Sequence, residues 1–452
     1  MTVPRIGAAT VCALLILLAT AAPALAVAGD VLWDDQVFHT GVVGDDIGRA
    51  MYVDALGNPI IAAQSATGAS TQELLTWSYQ PTGIWRWEAH WNSAASTFAT
   101  VNDMALDGTG APYIVGATQT AVTGTDMYLV RYGNAGGVSR DSFFDGAANG
   151  NDEAMAVCAD AVGNAYFTGT SEAADGDMDV ATVRIDATGV QTWAKLYNSP
   201  YDRFDGGFAI ALSGNALYVA GRSNRVGHGD DIILIKYNAA TGARQWVRRY
   251  DDSLHRNEWV SDVIATSTSV YLCGGGKFTA TKGGDALIAR YSSGGAQKWV
   301  KFLSGGSSAG DERFLDLQRA PNGNIVACGY VSRRASQQDW ATVAYRTGGS
   351  IRWGRFLTSN GRRPDAATAL DIDGNGKVYV TGSTKMALTG RDVWTVCYAP
   401  AGATEWNTGW NGADSGDDVP NDIEVSTGSV WITGTTWTIA NGNDMLTIKY
   451  QK

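Results

Sequence analysis

The side chains with the clearest chemical potential are basic residues concentrated in the middle of the chain. Residues 200–399 contain 25 Lys and Arg against 17 Asp and Glu, whereas residues 27–199 contain 6 against 21. Arginine binds planar carboxylate, sulfate and phosphate groups through two hydrogen bonds, so clustered arginines beside aromatic residues favour an anionic ligand. The candidate ligand-binding residues are Arg222, Arg225, His228, His255, Arg256, Lys277, Lys282, Arg333, Arg334, Arg362, Arg363, Lys385 and Arg391. Arg203 and the aromatic residues Trp259, Phe278 and Tyr330 lie in the same sector.

Two of the four histidines lie near acidic residues and could support acid–base chemistry. His228 and His255 are close in sequence to Asp251, Asp252 and Glu258. A histidine beside a carboxylate can act as a general base. Such pairs also occur on ordinary protein surfaces, and no other pattern in the chain points to a reaction. We therefore predict no catalytic residue, no metal site and no cofactor.

The elements that position these residues follow from an internal repeat of about 53 residues. The first series of anchors is aromatic or apolar and consists of Tyr79, Tyr132, Ile185, Tyr237, Tyr291, Tyr345, Tyr398 and Tyr450. A second series has the same steps and consists of Ala63, Gly116, Gly169, Gly221, Gly274, Gly329, Gly382 and Gly434. A third series is formed by tryptophans, with Arg140 at the one position where the tryptophan is missing. Eight such units account for all of residues 27–452.

Each unit has the pattern of four short strands separated by glycine-rich turns. In the third unit the strands are predicted at 152–160, 165–170, 179–185 and 190–197. This pattern predicts an all-β fold, a single β-propeller of eight four-stranded blades. The last unit ends before its tryptophan, and Trp33 has no unit before it. We therefore predict that residues 31–38 supply the outer strand of the last blade and close the ring.

The repeat resembles a known family. Its pattern D-x-A-x-x-V-x-x-D-x-x-G-N-x-Y-x-x-G, followed by D-x-x-V-x-x-Y and G-x-x-x-W, is seen best in residues 152–193 and 365–406. It is similar to the bacterial SBBP-type β-propeller repeat family, which is named for seven blades. The resemblance implies a secreted or surface-associated bacterial propeller and supplies no activity.

A second resemblance concerns the turn before the tryptophan. Residues 186–193, DATGVQTW, are similar to the docking repeat of eight-bladed quinoprotein dehydrogenases. The adjacent cysteines that accompany the quinone in those enzymes are missing here. Quinone chemistry is therefore not expected.

The repeat also separates scaffold from candidate function, because a residue found in nearly every blade is expected to be structural. Acidic residues begin the predicted third strands at Glu73, Asp126, Asp179, Asp231, Asp285, Asp339, Asp392 and Asp444, and the first strands at Asp46, Asp152, Asp205, Asp365 and Asp417. We expect them to accept backbone hydrogen bonds at loop ends. The basic residues of blades 4–7 do not repeat, so they remain candidates for binding. The alternative is that they form local ion pairs with the acidic ring.

Residues 1–26 combine Arg5, an apolar run and the small-residue site Ala24–Ala26, which indicates a cleavable secretory signal. No later segment is apolar enough to predict a membrane span. The four remaining cysteines, Cys158, Cys273, Cys328 and Cys397, lie in predicted strands, where we expect buried free thiols. An exported chain whose residues 27–452 carry a formal net charge of −12 is not expected to bind nucleic acid.

Taken together, these features predict a secreted, non-catalytic propeller that binds an anionic ligand, such as an acidic polysaccharide, on the face of blades 4–7. A protein at the cell surface is another possible partner. An extracellular enzyme acting on an acidic polysaccharide and a structural component of the cell envelope are the alternatives.

Overall fold

The computed structural model describes residues 26–37, 44–68, 71–93, 96, 98–119, 124–252, 254–277, 283–306, 310–334, 337–358, 364–385 and 390–452. In these residues, 32 strands form eight four-stranded antiparallel sheets arranged in a ring. Helices are absent from these described ranges. The fold is therefore the predicted eight-bladed β-propeller.

The first four blades are continuous in sequence, and the strands of each run from the channel outward in chain order. Blade 1 contains β2 (Ile47–Val53), β3 (Pro59–Gly68), β4 (Thr71–Tyr79) and β5 (Trp85–Trp91). Blade 2 contains β6 (Asp103–Leu106), β7 (Pro112–Gln119), β8 (Thr125–Tyr132) and β9 (Val138–Phe144). Blade 3 contains β10 (Asp152–Ala159), β11 (Ala165–Glu172), β12 (Met178–Ile185) and β13 (Gln191–Tyr197). Blade 4 contains β14 (Asp205–Ser213), β15 (Ala216–Arg225), β16 (Gly229–Asn238) and β17 (Arg244–Tyr250).

The other four blades repeat this order, except that the last takes one strand from the start of the chain. Blade 5 contains β18 (Glu258–Ala265), β19 (Ser269–Gly276), β20 (Asp285–Ser292) and β21 (Gln297–Leu303). Blade 6 contains β22 (Arg313–Arg319), β23 (Ile325–Arg334), β24 (Gln337–Tyr345) and β25 (Ile351–Leu357). Blade 7 contains β26 (Ala366–Ile372), β27 (Val378–Lys385), β28 (Arg391–Tyr398) and β29 (Thr404–Trp410). Blade 8 contains β30 (Asp418–Val425), β31 (Ser429–Thr438), β32 (Gly442–Gln451) and β1 (Val31–Val37).

The ring closes as the sequence predicts. Strand β1 pairs antiparallel with β32, from Val31 opposite Tyr450 to Val37 opposite Met445. Phe38, the last residue of the predicted strand, lies outside the described residues. This pairing gives the last blade its outer strand, so that β32 is not an exposed edge.

A β-bulge at the channel explains the repeated glycine of the second strand. In blade 3 the register shifts between Ala154 and Ala156, which pushes the carbonyl of Glu153 against Gly169. A side chain at Gly169 would collide with that carbonyl oxygen, and the same contact recurs at Gly221, Gly274, Gly329, Gly382 and Gly434. The close approach that requires a glycine here therefore comes mainly from the first strand of the same blade.

The outer tryptophans join each blade to the next. The Trp353 ring of blade 6 lies 2.5 Å from the position that a Cβ of Gly402 would take in blade 7, and its Nε1 donates to Pro400 O at 3.2 Å. Where the tryptophan is missing, the Arg140 side chain packs on Gly189 and its guanidinium donates to Ala187 O. Arg140 therefore makes the same connection with a different side chain.

Apolar clusters fill the space between neighbouring sheets. Tyrosines at the ends of the third strands are almost fully buried there and pack near these tryptophans, as Tyr398 does on Trp353. Cys273, Cys328 and Cys397 are buried and Cys158 is partly buried, and all four are free thiols, as predicted. No helix in the described part of the chain is long and apolar enough to cross a bilayer.

The innermost strands line a central channel of about 760 Å³. Four acidic residues on these strands, at equivalent positions, accept backbone hydrogen bonds from the next blade. Asp103 accepts from Val157 N at 2.8 Å, Asp316 from Leu370 N at 2.7 Å and Asp262 from Leu317 N at 3.3 Å. The fourth, Asp422, accepts from Met51 N at 2.7 Å and so connects the last blade to the first. These carboxylates tie adjacent blades together at the axis.

Candidate binding face

The acidic residues at the start of the first strands have the structural role that their repetition indicates. Asp152 accepts from Gly146 N at 2.5 Å, Asp205 from Ser199 N at 2.6 Å and Asp365 from Lys385 N at 3.2 Å. In the last blade this position belongs to the buried Asp418, which accepts from Gly412 N at 2.8 Å. The assignment of Asp417 to the series was therefore wrong by one residue.

Two loops from adjacent blades meet on one face and bring part of the predicted basic set together. The β15–β16 turn of blade 4 packs against the connection from β17 to β18, where Asp230 N donates to Asn257 Oδ1 at 3.0 Å. A cavity of about 430 Å³ opens beside this contact. Its lining residues are Gly229, His255, Arg256, Asn257, Trp259, Lys277 and Asp311.

The cavity holds two cations that have no partner among the described residues. Neither the Arg256 guanidinium nor the Lys277 ammonium makes a hydrogen bond or ion pair with the described residues. The one acidic side chain in the lining, Asp311, accepts from Gly284 N at 3.0 Å. Trp259 forms part of the wall, and the Arg313 guanidinium lies 4.5 Å from its ring centroid. The lining therefore combines unpaired positive charge with an aromatic surface.

Other predicted cations on this face have partners. Arg222 forms an ion pair with Asp230 at 3.3 Å and lies 4.7 Å from the Phe208 ring centroid. Arg225 forms an ion pair with Asp251 at 2.7 Å and lies over the Tyr201 ring. These two arginines fit the alternative of local ion pairing.

Among the described residues, the basic residues of blades 6 and 7 make no hydrogen bond or ion pair with the basic residues of blades 4 and 5. Arg333 is exposed and lies over Phe356 of its own blade, at 4.7 Å from the ring centroid. Lys385 pairs across the β27–β28 turn with Arg391. Arg334 ends β23, and its side chain lies outside the described residues together with Phe278, Lys282, Arg362 and Arg363.

The two histidines and Asp251 form one cluster at the edge of the cavity. The His255 Nδ1 lies 2.9 Å from Asp251 Oδ1, and the His228 Nδ1 lies 3.1 Å from Asp251 Oδ2. The two imidazole centroids are 3.7 Å apart. The Arg225 guanidinium contacts both Asp251 and the His228 Nδ1. Burial raises the pKa of Asp251, but the hydrogen bonds from His255 and His228 outweigh it and hold the pKa below its ordinary value.

Behind this cluster lies a buried glutamic acid. Glu258 is fully buried, and no side chain among the described residues donates a hydrogen bond to its oxygens. A carboxylate oxygen of Glu258 lies within 4.8 Å of ligand atoms of Asp231 and Asp251. Asp231 is paired with Arg249 at 2.6 Å. Burial, followed by the charges of Asp252, Asp231 and Asp251, raises the pKa of Glu258 to about 9.

Two residues of this face were not selected from the sequence. Arg313 comes directly after an acidic residue at the start of a first strand. Arg249 lies on an outer strand, at a position where the other blades have different residues. Their roles depend on Trp259 and Asp231, which come from other strands. Only the spacing of acidic residues near β17 could have indicated a partner for Arg249.

Two adjacent sets of side chains have different chemical capacities. The cavity lining can bind an anion, and the cluster of two histidines and Asp251 can hold a proton or a cation. Arg256 and Lys277 provide positive charge next to an aromatic wall. His255 lines the same cavity while its Nδ1 faces Asp251. The cavity and the histidine cluster therefore share one side chain.

Comparisons with known proteins identify the fold and no family. The chain matches no protein-family model, and no curated protein matches it in sequence. A europium-containing methanol dehydrogenase is similar in structure, with a TM-score of 0.51 and 9% sequence identity over 93% of each chain. The similarity to the SBBP-type repeats therefore stays a prediction, and the eight-bladed propeller rests on the eight four-stranded sheets of the structure.

Two other solved structures are more distant. One is the polysaccharide lyase Uly1, with a TM-score of 0.45 and 10% identity over 80% of this chain and 91% of that one. The other is the β-propeller domain of the Trilobed protease from Pyrococcus furiosus, with a TM-score of 0.45 and 9% identity over 78% of this chain and 97% of that one. At such identities the likeness is one of fold alone.

Proposed function

We propose that this chain is a secreted, non-catalytic propeller of the SBBP type that binds an anionic ligand in the cavity between blades 4, 5 and 6. The observation that carries the proposal is the pair of cations in the cavity, Arg256 and Lys277, which have no partner among the described residues. Other arginines nearby have acidic partners at 2.6 to 3.3 Å. Unpaired charge at a concave surface favours binding of an external anion.

The chemistry of the lining favours a carboxylated or sulfated sugar. Arg256 can bind a planar anionic group through two hydrogen bonds, and Lys277 adds a point charge. Trp259 offers an apolar ring for the less polar side of a sugar. A cavity of about 430 Å³ accommodates a short segment of a polymer. An acidic polysaccharide therefore fits better than an apolar small molecule.

The experiment measures binding of residues 27–452 to neutral, uronate-bearing and sulfated oligosaccharides by calorimetry at low and physiological salt. We expect salt-sensitive binding that is confined to the acidic sugars. The variant Arg256→Gln/Lys277→Gln should lose at least tenfold in affinity. Binding that is equal for neutral and acidic sugars would contradict the proposal.

A matched control separates a local site from overall charge. Lys298→Gln/Arg352→Gln removes the same two charges from exposed positions on outer strands of blades 5 and 6. We expect this control to bind like the parent protein. An equal loss in both variants would point to diffuse charge instead of the cavity. Shortened oligosaccharides after incubation would favour the enzymatic alternative.

A further inference from the structure

We propose that His228, Asp251 and His255 form a binding site for a divalent transition-metal ion, with Zn²⁺ as its simplest probe. One ligand atom from each residue lies within 4.8 Å of the others. The ligand set contains two imidazole nitrogens and a carboxylate, which is a common donor set for zinc and for other first-row transition metals. This site does not depend on the sugar-binding proposal.

The distances between the donor atoms suit a tetrahedral ion. Bonds of 2.0–2.2 Å place the ligand atoms of a tetrahedral site about 3.4 Å apart. The Nδ1 atoms of His255 and His228 lie 3.0 and 3.1 Å from the same oxygen, Asp251 Oδ2, so shifts of a few tenths of an ångström bring these distances to the tetrahedral value. His255 also lines the cavity, which leaves room for water or an anion at the remaining position.

A second observation comes from the buried acids behind Asp251. Glu258 is fully buried, no side chain among the described residues donates a hydrogen bond to its oxygens, and it lies within 4.8 Å of Asp251 and Asp231. Acidic groups that are buried close together are costly unless cations or protons neutralise them. A metal ion on Asp251 would add positive charge next to these two acidic side chains, of which Asp231 is already paired with Arg249. The surroundings of the histidine cluster thus also favour a cation.

Arg225 lies between two of the proposed ligands and would compete with a metal ion for them. Its Nη2 contacts both Asp251 Oδ2 and the His228 Nδ1, between the two proposed ligands. The same guanidinium has a second partner in Tyr201, whose hydroxyl is 3.4 Å from Nη1. Arg225 can therefore stay on Tyr201 when an ion enters. This competition predicts that removing the Arg225 charge strengthens metal binding.

The test uses the untagged mature chain, residues 27–452, after treatment with a chelator. Binding of Zn²⁺ is measured by calorimetry, and the stoichiometry by elemental analysis, with Ca²⁺ as the comparison ion. We expect one Zn²⁺ per chain and an affinity at least tenfold above that for Ca²⁺. The variants His255→Asn and Asp251→Asn should each weaken Zn²⁺ binding at least tenfold.

These variants preserve the fold for physical reasons. His255 has a φ of +52°, which asparagine tolerates better than most residues, and about half of its side chain is exposed. Glu258→Gln keeps the shape of the buried acid and should weaken the site severalfold, as removal of a supporting group does. Arg225→Gln should bind Zn²⁺ as tightly as the parent protein or more tightly.

The matched control is His90→Asn. His90 also contacts acidic residues, with its nitrogens 2.5 Å from Glu73 and 3.0 Å from Glu88, but it lies on blade 1. We expect unchanged Zn²⁺ binding in this variant. Absence of stoichiometric Zn²⁺ binding would overturn the proposal, and so would equal losses in His90→Asn and His255→Asn. Loss of sugar binding alone would leave the metal site standing.

Discussion

Alanine at Gly402 should be far more destabilising than alanine at Gly428, although both glycines have the same backbone conformation. Their φ angles are +87° and +86°. The position of a Cβ on Gly402 is 2.5 Å from Trp353 Cγ, whereas no atom lies within 4 Å of the corresponding position on Gly428. Both substitutions therefore carry the cost of the left-handed conformation. Only the alanine at residue 402 would also collide with a side chain of the neighbouring blade.

The size of the difference follows from that contact. A left-handed alanine costs about 1–2 kcal/mol, which both variants pay. Optimal carbon–carbon contacts are about 3.5–4.0 Å, so the Trp353 ring must move by roughly 1 Å. This displacement should cost about 1–3 kcal/mol in packing, and about 1 kcal/mol more if the hydrogen bond to Pro400 breaks. We expect Gly402→Ala to lose about 1–4 kcal/mol more than Gly428→Ala.

Equilibrium unfolding in urea, followed by far-UV circular dichroism and tryptophan fluorescence, measures both variants under the same conditions. Combining Gly402→Ala with Trp353→Leu makes room for the new methyl group. The double variant should therefore lose less than the sum of its two single variants. Equal losses at Gly402 and Gly428, or strict additivity with Trp353→Leu, would refute the view that the tryptophan–glycine contact holds neighbouring blades together.

Two further predictions concern the channel and the thiols. Burial raises the pKa of Asp103 and of Asp422 to about 7. The stability that their protons contribute is therefore fully present below about pH 4, declines as the pH rises from there, and is lost above about pH 7. Between pH 5 and pH 8, the free energy of unfolding of Asp103→Asn/Asp422→Asn, measured in urea, should therefore fall by at least ~2 kcal/mol less than that of the parent protein. The same pH dependence in both proteins would contradict this. In residues 27–452, a thiol reagent should detect no fast-reacting cysteine in the folded protein and four cysteines in denaturant. The melting temperature should not change under reducing conditions. Fewer than four reactive cysteines in denaturant would reveal a disulfide among Cys158, Cys273, Cys328 and Cys397.

The sequence alone was sufficient for the architecture. Three series of anchors with a common period predict the number of blades, the four strands of each and the use of residues 31–38 as the closing strand, of which the structure describes residues 31–37. They do so because every blade must solve the same packing problem and therefore repeats the same residues. The substitution of Arg140 for a tryptophan is visible in the sequence, but its replacement contact with Gly189 required the structure.

The candidate sites depended on contacts between residues far apart in sequence. The sequence selected His228, His255, Asp251 and Glu258 by type, and their association depends on how the β15–β16 turn of blade 4 packs against the connection to blade 5.

Which cations remain unpaired was also decided by the tertiary structure. Arg222 and Arg225 looked equivalent to Arg256 in sequence, yet they form ion pairs with acidic residues, whereas Arg256 forms none with the described residues. The physical reason is that packing contacts recur in every unit of the repeat, because every blade has the same fold. The charge around one side chain depends instead on neighbours from several loops.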